Sequence, residues 1–249
     1  MRSRLLPPRH YYNEFRQLLK FVITPVDNPN DKLSITQKVY GTWKLLVVKM
    51  VLTIIIGVAI GALYDPVNQT TASMAERFSP AGLLMVGVFI LPLLEEVAFR
   101  LSLKFKPIYL ALTLAVLGYY ISTKAVYHAK LSDVHNHFEI RVVVVLLITG
   151  LAYPLFSIPK IKRTLDQFWR QNFKGILYFS CFGFAWMHIF NYELNLEHLL
   201  LMPIITLPKL IGALCYGYVR INYGFVYSFM IHICNNSVGF IVSILFGAD

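Results

Sequence analysis

Charge is what this chain has least of: Asp, Glu, Lys and Arg make up 14% of its 249 residues. Soluble domains carry roughly a quarter, so so sparse a supply excludes an ordinary water-soluble fold. Acidic residues are the scarcer sign, 13 against 23 basic ones, for a net charge of +10. In a soluble protein that balance suggests nucleic acid. Here the basic residues cluster in alternate polar connections, as topology signals do, and no nucleic-acid partner is expected. Cysteine is nearly missing: Cys181, Cys215 and Cys234 each stand alone in an apolar run. That excludes a disulfide framework and a thiolate metal set, and leaves three small packing residues. No internal repeat or low-complexity stretch is visible. No cleavable signal peptide is expected either, because residues 1–42 are polar and basic with no apolar segment at their start.

What the chain does have is apolar length. It is 57% hydrophobic, with a mean hydropathy of +0.58. Runs of about 17 to 24 apolar residues, separated by short polar connections, predict an all-α fold. The expected architecture is a polytopic transmembrane helical bundle of about seven spans, or eight if a re-entrant piece is counted. The spans are expected at Trp43–Tyr64, Ala81–Leu103, Pro107–Thr123, Val142–Ile158, Ile176–Phe190, His198–Val219 and Tyr223–Phe246. Within residues 1–42, Tyr11, Tyr12, Phe15, Leu18, Leu19 and Val22 recur at helical spacing, which predicts an amphipathic helix lying on the membrane surface. Gly57 and Gly61 stand in a GxxxG spacing, which either lets another helix approach closely or arises by chance. Residues 43–249 form the membrane domain.

Arginine and lysine set the expected orientation. Arg2, Arg4, Arg9, Arg16, Lys20, Lys32 and Lys38 precede the first span, and Lys160, Lys162, Arg163, Arg170 and Lys174 separate the fourth from the fifth. The opposing connections are poorer, so the N-terminus is expected in the cytoplasm. The long connection from Lys124 to Arg141 then lies outside, where His128, His135 and His137 are expected to be solvated.

Against this apolar background a few ionisable groups stand out. Glu95, Glu96 and Arg100 interrupt the second run. Each such group near the middle of a span carries a penalty of roughly 2.5 to 3.5 kcal/mol, which makes it a functional suspect. Glu96 and Arg100 lie about 40° apart around a helix and can pair at i, i+4, whereas Glu95 is rotated about 100° from Glu96 and is left over. An unpaired carboxylate in low-dielectric surroundings meets the condition for a general base near neutral pH. Pro92, just before, frees a carbonyl one turn back. Phe184 and His188 share a face of the fifth span, and His232 and Asn236 a face of the last. Measured from the cytoplasmic ends, Glu95 lies roughly 14 Å deep, His232 roughly 18 Å and His188 roughly 21 Å, so the three can meet near mid-membrane.

Glu95-Glu96-x-x-x-Arg100, Phe184-x-x-x-His188 and His232-x-x-x-Asn236, in that order and each on an apolar helix, resemble the three motifs of the CPBP family of CAAX-type intramembrane proteases and bacteriocin-processing proteins. The resemblance covers residues 81–246 and extends to Gly217-Tyr218-Val219-Arg220 and Ser228 before the third motif. One departure is the wide separation of the first two motifs, which accommodates the third and fourth spans. The resemblance implies an intramembrane endopeptidase acting on a membrane-associated protein or peptide. In it Glu95 activates water, His188 helps hold that water, and His232 and Asn236 form the oxyanion hole. Glu96, Arg100 and Phe184 support them. No cofactor is then required. The competing chemistry is a zinc ion on Glu95, His188 and His232, although no HExxH motif is present. The competing role is a non-catalytic membrane scaffold or partner-binding subunit. The bilayer is a partner in every case, and a bacterial inner membrane is the expected location.

Overall fold

The computed structural model describes residues 8–27, 33–64 and 66–246, and among them there are helices and connections but no strands. Six helices are long and apolar enough to cross a membrane, or seven if one bent pair counts as a single span. This is an integral multi-pass membrane protein with an all-α bundle, as the apolar runs predict.

The chain opens with α1 (Pro8–Ile23), followed by the first span α2 (Ile35–Gly61), which starts in a capping box between Ser34 and Gln37. The helix α1 does not simply lie on lipid. Leu18 and Phe21 are buried, Phe21 sits edge-on to Tyr218, and the Lys44 ammonium pairs with the buried Glu14. Only Tyr12, Leu19 and Ile23 keep an exposed apolar face. The periodicity shows that one face must leave water. It does not say whether lipid or protein covers that face.

After the short α3 (Gln69–Arg77), the second span is assembled from α4 (Pro80–Leu83), a π-helical stretch Leu84–Ile90, α5 (Leu91–Phe99) and a 3-10 turn Leu101–Leu103. Proline explains the irregularity. The Leu91 N–H bonds Val86 O in π register, so Gly87 O would need the next amide, and Pro92 has none. The Asn236 side-chain amide donates to Gly87 O instead, at 3.1 Å. If this is why Asn236 is needed for stability, Pro92→Ala should restore an in-helix donor. Asn236→Ala should then destabilise the Pro92→Ala background by about 1 kcal/mol less than it does the parent, read from thermal melts in detergent. Equal penalties in both backgrounds would dissociate the proline from the asparagine.

The hairpin α6 (Pro107–Ile121) and α7 (Phe138–Ser157) packs tightly on itself. Its connection is drawn in by Arg141, fully buried, which donates to Asp133 O and to the Tyr119 and Thr123 hydroxyls. His128, His135 and His137 are exposed in that connection. The basic segment before the fifth span is itself helical: α8 runs Pro159–Met187 with non-helical backbone at Asn172. The Trp169 indole, ahead of that break, donates to Ser102 O at 2.6 Å. The sixth run is bent by 41° between α9 (Leu196–Ile205) and α10 (Leu207–Asn222). Pro203 and Pro208 flank the break and withhold two amide donors. Finally, α11 (Phe225–Phe246) turns back from α10 through Gly224, whose φ of +112° disfavours any side chain. The Gly57–Gly61 spacing meets nothing within 4 Å, so no described helix uses it.

The helix α10 is central, packing against α2, α8 and α11, while α5 packs against α6, α8 and α11. Arg220, near the end of α10, joins these two centres. Its guanidinium, 4% exposed, donates to Arg100 O and Leu101 O, both at 2.9 Å. It thereby closes the end of the second span as a cap would. Hydrogen bonds to a charged group contribute about 1.5 to 3 kcal/mol, so Arg220→Ala should lower the melting temperature by several degrees and reduce accumulation in membranes. A melt unchanged from the parent would show those carbonyls to be adequately solvated without it.

Candidate active site

The three motif helices α5, α8 and α11 bring their polar residues together, and the arrangement has a closed side and an open side. On the closed side lies Glu96, fully buried on α5. Its carboxylate accepts from Ser228 Oγ at 2.5 Å and faces His232 Nδ1 at 2.9 Å, both on α11. The spacing Ser228–His232 is one helical turn, so both reach the same carboxylate. The Arg100 guanidinium approaches less closely, with Nε 3.8 Å from Glu96 Oε1. It lies over the Phe184 ring at 3.9 Å, with Tyr216 and Phe99 at 5.4 and 5.9 Å. None of its nitrogens has a hydrogen-bond partner among the described residues. The expected i, i+4 pair is therefore present but loose, and ring faces provide the remaining contact. Phe184 acquires a clear purpose: one face carries Arg100, and its ring meets Phe99, His188 and His232 edge-on.

His232 links the closed and open sides. Its Nε2 is 3.4 Å from Glu95 Oε2, and Tyr216 stacks on its ring at 4.6 Å. The imidazole thus stands between two carboxylates with its plane fixed. In its protonated form it donates to both.

The open side is a cavity of about 510 Å³ lined by Glu95 and His188, with Leu91, Tyr120 and Met187 among its walls. Glu95, its side chain 18% exposed, is the motif carboxylate that reaches this space. His188 Nδ1 is 2.8 Å from Phe184 O. A carbonyl only accepts, so Nδ1 carries the proton and neutral His188 keeps Nε2 as an acceptor. His232 and Asn236 do not line the cavity. One N–H of Asn236 is engaged by Gly87 O, and Asn235 donates to Asn236 Oδ1 at 3.0 Å. Among the described residues no group of three His, Cys, Asp or Glu side chains is arranged so as to hold a metal ion.

Several neighbours were not singled out by the motifs. Ser228 flanks the third motif and lies outside it. Tyr216 carries no signal in sequence, because a tyrosine among apolar residues is ordinary. The Tyr120 hydroxyl, on the cavity wall, is buried without a hydrogen-bond partner among the described residues. Two lysines, however, announce themselves by the argument that picks out Glu95, since both interrupt apolar runs. Lys49, 6% exposed midway along α2, donates to Asn235 Oδ1. Lys209, in the first turn of α10 beyond the bend, is within electrostatic reach of Glu95, His188 and Lys49. The intramembrane charges are therefore a mixed group, and one of the two lysines, Lys209, is within electrostatic reach of Glu95. No protein-family model matches the chain, and neither does any curated protein or solved structure.

Proposed function

We propose that this protein is an intramembrane endopeptidase of the CPBP type, hydrolysing a peptide bond in a membrane-associated protein or peptide. The observation that carries the reading is that Glu95 and His188, from motifs far apart in sequence, line one cavity while the rest of the polar cluster lies behind them. A water bound there can donate to Glu95 and to His188 Nε2, since both are acceptors. Glu95 takes one proton as the water oxygen attacks the scissile carbonyl. The carbonyl oxygen becomes an oxyanion. The oxyanion hole is assigned to the N–H groups of His232 and Asn236, and because neither side chain lines the cavity, both must shift toward it when substrate binds. Collapse of the tetrahedral intermediate breaks the C–N bond, and Glu95 returns its proton to the leaving amine.

In this reading Glu96, Ser228 and Arg100 hold His232 and do not react. The mechanism uses no metal. Metal analysis of the purified protein and assay with a chelator test that part, since loss of activity on chelation would restore the zinc alternative. The N-terminus is assigned to the cytoplasm on the distribution of basic residues, with a bacterial inner membrane as the setting. The principal test is release of substrate peptides by the parent and by Glu95→Gln.

A further inference from the structure

The cavity that contains Glu95 and His188 extends to the end of the bundle opposite α1, where Arg77, Lys124 and Lys130 line it. Among the described lining residues Glu95 is the only acid. Lys124 and Lys130 face each other closely enough to repel, and both are exposed. Outside the lining, Asp133 turns its carboxylate to the His135 and Asn136 amides at 2.9 and 3.4 Å. Those backbone donors, His135 first, hold its carboxyl below the usual carboxylate range. Arg77 has Asp133 within electrostatic reach, and the two lysines are the remaining lysine or arginine cations among the described lining residues.

Tyr120, within electrostatic reach of Glu95, lines the same cavity as Lys124, four residues further on. Resting on the peptidase reading above, we propose that the cavity selects an acidic peptide, with a substrate carboxylate held between Lys124 and Lys130 while the scissile bond lies at Glu95. Apolar walls take the flanking residues, and charge complementarity at the mouth fixes the register.

The test uses full-length Glu95→Gln protein in phosphatidylcholine nanodiscs and two short fluorescent apolar peptides that differ only in one Asp or one Lys. The Asp peptide is expected to bind about tenfold more tightly, a difference of about 1.4 kcal/mol, and its advantage should shrink as salt is raised. Adding Lys124→Gln/Lys130→Gln should level the two peptides, and Lys124→Glu/Lys130→Glu should invert the order. Equal binding by the parent cavity, or an order unchanged by charge reversal, overturns the proposal. So does a preference that vanishes once phosphatidylglycerol is included, which would assign these lysines to lipid headgroups. Cleavage is measured separately on protein retaining Glu95. Selective binding without cleavage supports the acidic-peptide site and removes the peptidase reading, whereas equal cleavage of both peptides retains the peptidase and removes the acidic selection.

Discussion

Replacing Glu95 by Gln is expected to slow peptide release by a factor of about 10² to 10⁴, the range that a positioned general base contributes. The substitution preserves shape and removes basicity, so the loss should fall on turnover. Folding should be largely spared. Glu95 faces the cavity, and its polar contact with His232 is 3.4 Å, longer than the bonds that hold Glu96. An uncharged amide also relieves the desolvation of a carboxylate, so the melt should be unchanged or slightly raised. Comparing the membrane peptidomes of cells producing parent and Glu95→Gln protein checks the prediction without knowledge of the substrate. Identical peptidomes would favour the scaffold alternative. Normal cleavage by a properly folded variant would show that another group is the base.

Glu96→Gln provides the contrast within the same dipeptide. Glu96 is fully buried and accepts from Ser228 while facing His232 and Arg100. Its loss should disturb the position of His232 and the fold together. Two adjacent glutamates thus differ in consequence because one helical step of 100° turns one to a cavity and the other to the bundle core.

That division was legible in the sequence, and the physical reason is general. A charge within an apolar run must be functional or paired, and i, i+4 geometry decides which of two neighbours can pair with Arg100. The apolar runs, read by length alone, likewise indicate the spans. What sequence could not supply was the identity of neighbours across helices. Nothing local says that Ser228 closes on Glu96, that Phe184 is the platform for Arg100, or that Asn236 repairs the carbonyl freed by Pro92. Each depends on which face of α11 or α8 meets α5. Breaks were also poorly visible: Pro203 and Pro208 mark the bend in the sixth run, yet prolines are tolerated inside membrane helices and do not by themselves announce one. Lys49 and Lys209 carry the same signal as Glu95, a charge inside an apolar run, although most lysines of the chain lie in the polar connections.

Arg100→Ala should be the most destabilising single change in the cluster. The guanidinium is fully buried, stacked on Phe184 and flanked by Tyr216 and Phe99. Removing it leaves space among those rings and withdraws the arginine charge from beside Glu96. Breaking a buried pair from one side typically costs about 3 to 5 kcal/mol. Here the lower part of that range is expected, because Ser228 and His232 still donate to Glu96 and the Arg100–Glu96 contact is loose at 3.8 Å. Two controls separate charge from volume. Arg100→Met retains much of the stem that fills the space and should recover part of the loss if packing dominates. Adding Glu96→Gln to Arg100→Ala should recover part of it if the uncompensated carboxylate dominates, giving a coupling energy of at least about 0.5 kcal/mol in the double-mutant cycle. Thermal melts in detergent read all five proteins: the parent, Arg100→Ala, Arg100→Met, Glu96→Gln and the double variant. A melt for Arg100→Ala matching the parent, alongside a collapsed Glu95→Gln, would reverse the roles of the two glutamates, making Glu95 the structural partner and Glu96 the candidate base.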